Sequence, residues 1–511
     1  MLACTNSIGL MGIDGFTVSI QADISNGLPS FDVVGLPDTA VRESRERVHS
    51  AIKNSGFDFP PRRIVVNLAP ANLKKEGPAY DLPIAMALLF ASGQVEANET
   101  GRQVFMGELS LDGSLNPVTG VLPMVISAYK NGFTDIFVPQ KNAKEAAILD
   151  GVRIYPVCSL IELAAHFSGR KRIEPFVDPN GGHIKNQNDN VIDFADVKGQ
   201  ESAKRALEIA AAGGHNILLI GSPGTGKTML AKRLCTILPD MTFNEALEVT
   251  KVHSIAGTLK KDSPLITSRP FRNPHHTISS SGLSGGGTIP RPGELSLAHN
   301  GVLFLDELPE FKRETLEVMR QPLEDGQVTI ARVNATLTYP CNIMLICSMN
   351  PCKCGFFGDP VRRCTCSDAQ IHKYRSRISG PLLDRIDMHI EISPVNYNDL
   401  SSSERGESSA EIKKRVDRTR KIQTQRYKEH GIYSNSQLRA GLLEEFCHIG
   451  DEENKLLKTA FDNLGLSARA HSRILKVART IADLEQSEEI KAAHIAEAIQ
   501  YRSLDRKFFG N

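Results

Sequence analysis

Residues Gly221-Ser222-Pro223-Gly224-Thr225-Gly226-Lys227-Thr228 read G-x-x-x-x-G-K-T and stand between an apolar run, Asn216–Ile220, and a helix-forming run, Met229–Leu238. A strand entering such a turn and a helix leaving it are the context a phosphate-binding loop requires. The glycines let successive backbone N–H groups and the helix N-terminus face phosphate oxygens. Lys227 then reaches the β- and γ-oxygens, and Thr228 offers a hydroxyl to Mg²⁺. A glycine-rich structural turn is the plain alternative, and the full motif between strand and helix argues against it.

Downstream, Gly301-Val302-Leu303-Phe304-Leu305-Asp306-Glu307 is a continuous apolar strand that ends in two carboxylates. Buried parallel strands have this pattern, and one of them commonly delivers an acid to a nucleotide-bound metal. Asp306 is expected to orient Mg²⁺ and Glu307 to polarise an attacking water. A strand ending in two solvated acids is the bland reading, which the phosphate loop upstream disfavours. A third strand, Cys341–Met349, ends at Asn350, whose amide suits a hydrogen bond to the same water or to the γ-phosphate; an Asn after a strand also serves as a turn residue. ATP and Mg²⁺ are the ligands these residues anticipate.

The chain has 511 residues, which at roughly 100–200 per domain implies two to four domains. Hydrophobic residues at 41% and charged residues at 23% exclude a disordered or fibrous protein. Sixty Lys+Arg against 59 Asp+Glu leave a net charge of +1, so any nucleic-acid surface must come from local clustering. Residues 1–172 alternate strand-like and helix-like runs, 173–192 have the polar composition of a linker, 193–395 alternate again and carry the nucleotide motifs, and 396–511 read as helices with basic faces. The expected fold class is thus α/β multidomain, with an all-α C-terminal segment. The N-terminus has no basic residue ahead of its apolar stretch and reads poorly as a signal peptide. The most apolar run, Leu82–Phe90, contains Pro83 and is shorter than the ~18 residues that span a bilayer. A cytoplasmic protein with no membrane partner is expected.

Four of the ten cysteines crowd into Cys352-Lys353-Cys354 and Cys364-Thr365-Cys366, around Gly355, Gly358 and Pro360. In a reducing compartment this pattern points to a closed structural Zn²⁺ site with four thiolates, the alternatives being two disulfides or free thiols. The other six are scattered and suit core packing.

Several longer strings resemble the AAA+ ATPases, and within them the magnesium-chelatase-like branch that includes the ComM/YifB competence proteins. They are Phe31-Asp32-Val33-Val34-Gly35-Leu36-Pro37-Asp38, Arg269-Pro270-Phe271-Arg272-Asn273-Pro274-His275-His276-Thr277, Arg291-Pro292-Gly293-Glu294, and the run from Ser376 to Asp387. The resemblance covers nearly the whole chain. It implies that Asn350 is the first sensor, that Arg385 is the arginine finger a neighbouring subunit supplies, and that Arg469 is the second sensor on a helical lid. A guanidinium, planar and always charged, suits charge spread over phosphoryl oxygens. By residue type alone Arg375, Arg377 and Arg473 rival Arg385. A finger that completes a neighbour's site implies a closed ring, here a homo-hexamer.

Residues Glu76-Gly77-Pro78-Ala79, Gly107–Leu115 and Pro117–Ile126 resemble the proteolytic domain of Lon-type proteases, which implies a ribosomal S5 domain 2-like fold for residues 1–172. Lon chemistry needs a serine after the Gly-Pro pair and a lysine base in the later loop. Ala79 and Met124 stand there, and neither transfers a proton, so the fold is expected without the activity; Ser110 and Ser114 are the displaced nucleophiles to consider.

Three substrates compete for the motor: DNA, a porphyrin receiving metal, and a protein being remodelled. The Lon-like segment and the cysteine cluster belong to the ComM/YifB arrangement, which disfavours the porphyrin. Between Cys352 and Arg385, Lys353, Arg362, Arg363, Lys373, Arg375, Arg377 and Arg385 outnumber Asp359, Asp368 and Asp384. Two apparent insertions, Lys260–Ile289 with His275 and His276 and a hairpin-like Gln327–Thr338 with Arg332 near its tip, supply donors that suit tracking of a single strand's backbone. The histidine pair also suits a purely structural role. A helicase or branch-migration motor in recombination or natural transformation is what the resemblance implies.

Overall fold

The structure, a computed structural model, describes residues 1–96, 101–177, 192–259, 264–287, 290–332, 335–396, 399, 405–464, 466–504 and 508. It divides into two compact units, one of residues 1–185, 246–266 and 333–339 and the other of residues 186–245, 267–332 and 340–511. Residues 246–266 and 333–339, inside the expected 193–395 segment, therefore group with the first unit.

The first unit is built on a four-stranded sheet in the order Leu2–Met11, Asp14–Ser25, Arg63–Ala69, Ser30–Val34. Leu2–Met11 pairs with Asp14–Ser25 along its whole length, so the glycine-interrupted N-terminus that reads poorly as a signal peptide is a strand. Period-two burial drives the assembly: Val18, Ile20, Ala22 and Ile24 on one strand and Ile64, Val66 and Leu68 on its neighbour all face the core. Gly35 allows the edge strand's exit, since a Cβ there would fall 2.2 Å from the carbonyl oxygen of Leu68. Helix Thr39–Asn54 starts at Asp38, whose Oδ1 accepts from Val41 N at 2.8 Å. Helix Asp81–Ala91 is buried throughout and, beyond Asp81, apolar on all sides. A parallel three-stranded sheet of Gln103–Phe105, Asp135–Pro139 and Arg153–Val157 completes the unit with helices Val121–Lys130 and Leu160–Phe167.

The second unit carries a five-stranded, all-parallel sheet in the order Phe271–Arg272, Val302–Leu305, Met344–Met349, Ile217–Gly221, Met388–Ile392. Its central strands are continuous apolar runs because both faces are covered. Phe271–Arg272 corrects the reading of Lys260–Ile289 as one insertion, since two of its residues are an edge strand of this sheet. A two-residue strand has no periodicity to betray it. Gln327–Arg332 and Ala335–Pro340 form a separate two-stranded sheet, as the hairpin reading expects. After Ile392 the described regular elements are helical, the longest being Ser409–Arg426 and Ala468–Leu484, and their apolar faces join the sheet's hydrophobic core. Among the described residues no helix is long and apolar enough to cross a membrane.

Candidate functional site

Parallel register assembles the site. Ile220 lies opposite Met349, so the phosphate loop that begins at Gly221 emerges beside Asn350. Leu305 lies opposite Cys347, so Asp306 emerges beside Ser348. Loop, paired acids and asparagine thus meet at the carboxyl ends of three adjacent strands, where an open α/β sheet offers its crevice.

Gly224 and Gly226 have φ of +80° and +86°, and helix Lys227–Ile237 starts directly on the loop. Lys227 Nζ donates to the carbonyls of Gly221 at 2.7 Å and Ser222 at 3.0 Å, and to Asn350 Oδ1 at 3.2 Å. Burial lowers the pKa of its ammonium, against the pull of the Asp306 and Glu307 carboxylates. Thr228 Oγ1 donates to Asp306 Oδ2 at 2.8 Å, which sets a hydroxyl and a carboxylate together as hard oxygen ligands for Mg²⁺. The other Asp306 oxygen accepts from the Ser348 hydroxyl and from Glu307 N. Ser348 was not anticipated; it is the one hydroxyl in the buried run Met344–Met349, and only the strand register sets it against Asp306. Glu307 has φ of +55°, a left-handed conformation uncommon outside glycine, and its carboxylate is 57% exposed with His276 Nδ1 at 3.8 Å. An exposed carboxylate beside a fixed one is what orienting a water and holding a cation ask for.

Arg385 and Arg469 sit elsewhere. Gly221 pairs with Ile392 and Ile217 with Met388, so Arg385, three residues before Met388, is at the opposite end of these adjacent strands from the phosphate loop. Four residue steps along the strand separate the two ends by about 13 Å. Arg385 is buried, donating to the carbonyls of Arg320 at 2.8 Å and Pro381 at 2.7 Å and pairing with Glu324 at 2.5 Å. Arg469 is exposed, 3.7 Å from Asp384, the neighbour of Arg385. The rivals are placed too: Arg377 pairs with Glu310 at 2.9 Å, Arg375 packs between Phe357 and Phe508, and Arg473 pairs with buried Asp387. A cavity of about 430 Å³ opens beside Arg385 and is lined by Glu324, Asp387, Arg473 and Lys476.

The four sulfurs of Cys352, Cys354, Cys364 and Cys366 lie within 4.8 Å of one another, with separations of 3.3, 3.6 and 3.5 Å among the first three. These are not disulfide distances. Four sulfurs about 2.3 Å from a central Zn²⁺ would sit about 3.8 Å apart, so the cluster fits a tetrahedral ion. The remaining cysteines are free; Cys341, Cys347 and Cys447 are buried as core residues, whereas Cys4 and Cys158 are exposed.

Of the residues considered for DNA, Arg362 and Arg363 are exposed on the cysteine loop, with the Arg362 guanidinium 5.2 Å from the Phe356 ring centre. His275 is exposed and bonds Thr277 at 2.9 Å, while His276 faces Glu307. Arg332 ends its strand, and its side chain lies outside the described residues. In the first unit Ala79 and Met124 share one apolar cluster with Ile8 and Val121, so hydrophobic packing occupies the positions of the expected serine and lysine. Ser114 bonds Asp112 at 2.7 Å, and Ser110 accepts from Asn116 at 3.0 Å. The strings quoted above are also tied together: Arg272 grips Glu294 through two bonds of 2.6 and 2.7 Å.

Comparison with known proteins gives three family matches. Residues 193–400 match "Magnesium chelatase, subunit ChlI", residues 20–142 match "Subunit ChlI of Mg-chelatase", and residues 406–502 match "Magnesium chelatase, subunit ChlI C-terminal". The chain is similar to the competence protein ComM of Haemophilus influenzae, at 42% identity over 99% of this chain and 98% of that one. It is similar to YifB of Escherichia coli at 43% identity over 99% and 98% of the two chains. A stretch covering 31% of the chain is 25% identical to part of the Lon protease of Mycolicibacterium smegmatis, 21% of that protein's length.

Proposed function

The chain belongs to the magnesium-chelatase-like ComM/YifB family, and we infer that it is an ATP-hydrolysing AAA+ ring motor that acts on DNA. The observation that carries the ATPase reading is the pair of bonds through Asp306, to Thr228 and to Ser348, with the exposed Glu307 carboxylate beside them and Lys227 joined to Asn350. Mg²⁺, when bound, neutralises charge on the phosphate oxygens. Thr228 and Asp306 would hold it, the loop's N–H groups and Lys227 would hold the phosphates, and Glu307 would orient and take a proton from the attacking water. Asn350 would position that water or the γ-phosphate. Arg385 lies at the far end of its strand from this chain's own phosphate loop, which favours its use on a neighbour's nucleotide in a closed homo-oligomer, a hexamer in our reading, with Arg469 as the second sensor on the lid. The four cysteines would hold a structural Zn²⁺, which contributes folding free energy to their loop.

DNA as substrate rests on the likeness to a protein named for competence and on the exposed Arg362 and Arg363, with branch migration or helicase action in transformation or recombination as the process and the cytoplasm as the place. The test is strand displacement or branch migration on a labelled four-way junction with ATP, alongside ATPase assays with single-stranded, duplex and forked DNA. ATP hydrolysis by a protein that neither binds DNA at low salt nor moves a junction would transfer the reading to protein remodelling or chelatase-type work.

A further inference from the structure

The cysteine loop and the phosphate loop, 137 residues apart at their point of contact, touch in two places. Ser222 Oγ donates to Asp359 Oδ2 at 2.7 Å. The other Asp359 oxygen is held by the backbone N–H groups of Val361 at 2.9 Å and Arg362 at 2.8 Å, so the carboxylate is oriented by its own turn before it meets Ser222. Those bonds also draw its pKa below the usual carboxylate range. The second contact is at Gly355, whose φ is +88° and whose missing Cβ would stand 2.5 Å from Pro223 Cδ; the turn that Gly355 closes after Cys354 therefore lies flat on the loop's proline. The cysteine loop has its own anchors. It leaves the sheet at Asn350, Arg375 Nε bonds the carbonyl of Pro351 at 3.0 Å, and the Arg375 guanidinium packs on Phe357.

We propose that the cysteine loop braces the phosphate loop, with Asp359 as a positioning residue for Ser222 and Gly355 as the seat of Pro223, so that closing the four thiolates around a thiophilic divalent cation tightens nucleotide binding at a site to which they supply no ligand. The inference rests on the nucleotide-site reading. A phosphate loop binds through backbone N–H groups that must all point one way, and each contact that restricts the loop beforehand lowers the ordering cost of binding. Asp359 contacts the loop that would take the phosphates, where a second negative charge is unfavourable; its use is intelligible as an acceptor that fixes Ser222. An open cysteine cluster frees both contacts at once.

The experiment measures the affinity of a fluorescent ADP for the full-length chain purified without chelator, together with its zinc content. Asp359→Ala and Ser222→Ala should each weaken ADP about 3–10-fold, the size of one lost hydrogen bond, with zinc unchanged. The double variant should be no weaker than either single one, because both remove the same bond. Asp359→Asn keeps a partner for the Ser222 hydroxyl and should bind near wild type, as should Val361→Ala, a change at an exposed position of the same turn. Cys354→Ser with Cys364→Ser should lose zinc and weaken ADP at least as much as Asp359→Ala. Unchanged or tighter ADP binding by Asp359→Ala overturns the proposal, as does full ADP affinity in a zinc-free protein. Failure of the nucleotide reading looks different: wild type and Lys227→Ala would then bind ADP equally poorly.

Discussion

Lys227 Nζ lies 3.2 Å from Asn350 Oδ1, which joins the phosphate cation to the asparagine at the end of a neighbouring strand across 123 residues of chain. The two should separate under mutation. Lys227→Ala removes a charged donor and should weaken nucleotide binding about tenfold or more. Asn350→Ala and Glu307→Gln should leave binding nearly intact and slow turnover, Glu307→Gln by about 10²–10⁴-fold as general-base contributions run. Equilibrium ADP binding and steady-state ATPase check all three, and unchanged turnover in Glu307→Gln would remove Glu307 from its role.

Arg385 is the sharper test of assembly. It is buried against Glu324 and two carbonyls at the strand end away from its own phosphate loop, so under the proposed reading it would act on another copy's nucleotide. Arg385→Ala should lower ATPase by about 10³-fold or more while leaving nucleotide affinity close to wild type. Mixed with Lys227→Ala subunits, whose fingers are intact, it should regain activity. Mixed rings that assemble and stay inactive would count against the trans assignment.

Acid should unfold the second unit through one buried cluster. Burial alone would raise the Asp387 carboxyl, but Arg473 and His215 hold it far below the usual range, and Asn216 N adds a bond at 3.0 Å. Burial also lowers His215, despite Asp387 at 3.6 Å. Both folded pKa values lie below the unfolded ones, so the unfolded chain binds more protons and stability falls with pH. His215 begins this decline below about pH 6.5 and Asp387 adds to it below about pH 4. Thermal unfolding from pH 8 to 4 should show Tm falling throughout the lower half of that range. Asp387→Ala should cost about 3–5 kcal/mol, because it strands the Arg473 charge.

How legible was this in the sequence? The phosphate loop, the paired acids and Asn350 could be read because each is a local signature at a strand end. Ser348 was not, since a serine inside an apolar run has no meaning until the parallel register puts it against Asp306. The contact of Asp359 with Ser222 spans 137 residues and leaves no periodic trace. Helix Thr39–Asn54 carries a local start signal, since Asp38 precedes it and caps it. Strand Leu2–Met11 has no such signal, because Gly9 and the polar residues Thr5, Asn6 and Ser7 obscure the alternation.

Zinc content gives an independent measurement. The four sulfurs should bind one ion per chain by elemental analysis, and Cys354→Ser with Cys364→Ser should release it and lower the Tm of the loop's unit. Chain purified without chelator that contains no metal would leave a cluster of free thiols.

The last prediction concerns DNA. If exposed guanidiniums on the cysteine loop hold phosphates, affinity should be independent of sequence and should fall steeply with salt, because each neutralised phosphate releases condensed counterions. Arg362 and Arg363 are exposed, and Arg362 is held over the Phe356 ring, a placement that limits its rotamers without consuming its donors. Replacing both by Ala should flatten the slope of log affinity against log salt by about one unit per lost contact. DNA-free ATPase should change little, since neither guanidinium takes part in the bonds around Lys227 and Asp306. Arg332→Ala should act in the same direction if the hairpin meets the strand. The measurement is fluorescence anisotropy of a labelled single strand and a labelled four-way junction across a salt series, with Glu307→Gln in ATP as the binding-competent control. A slope that the double replacement leaves unchanged would move the DNA surface away from the cysteine loop.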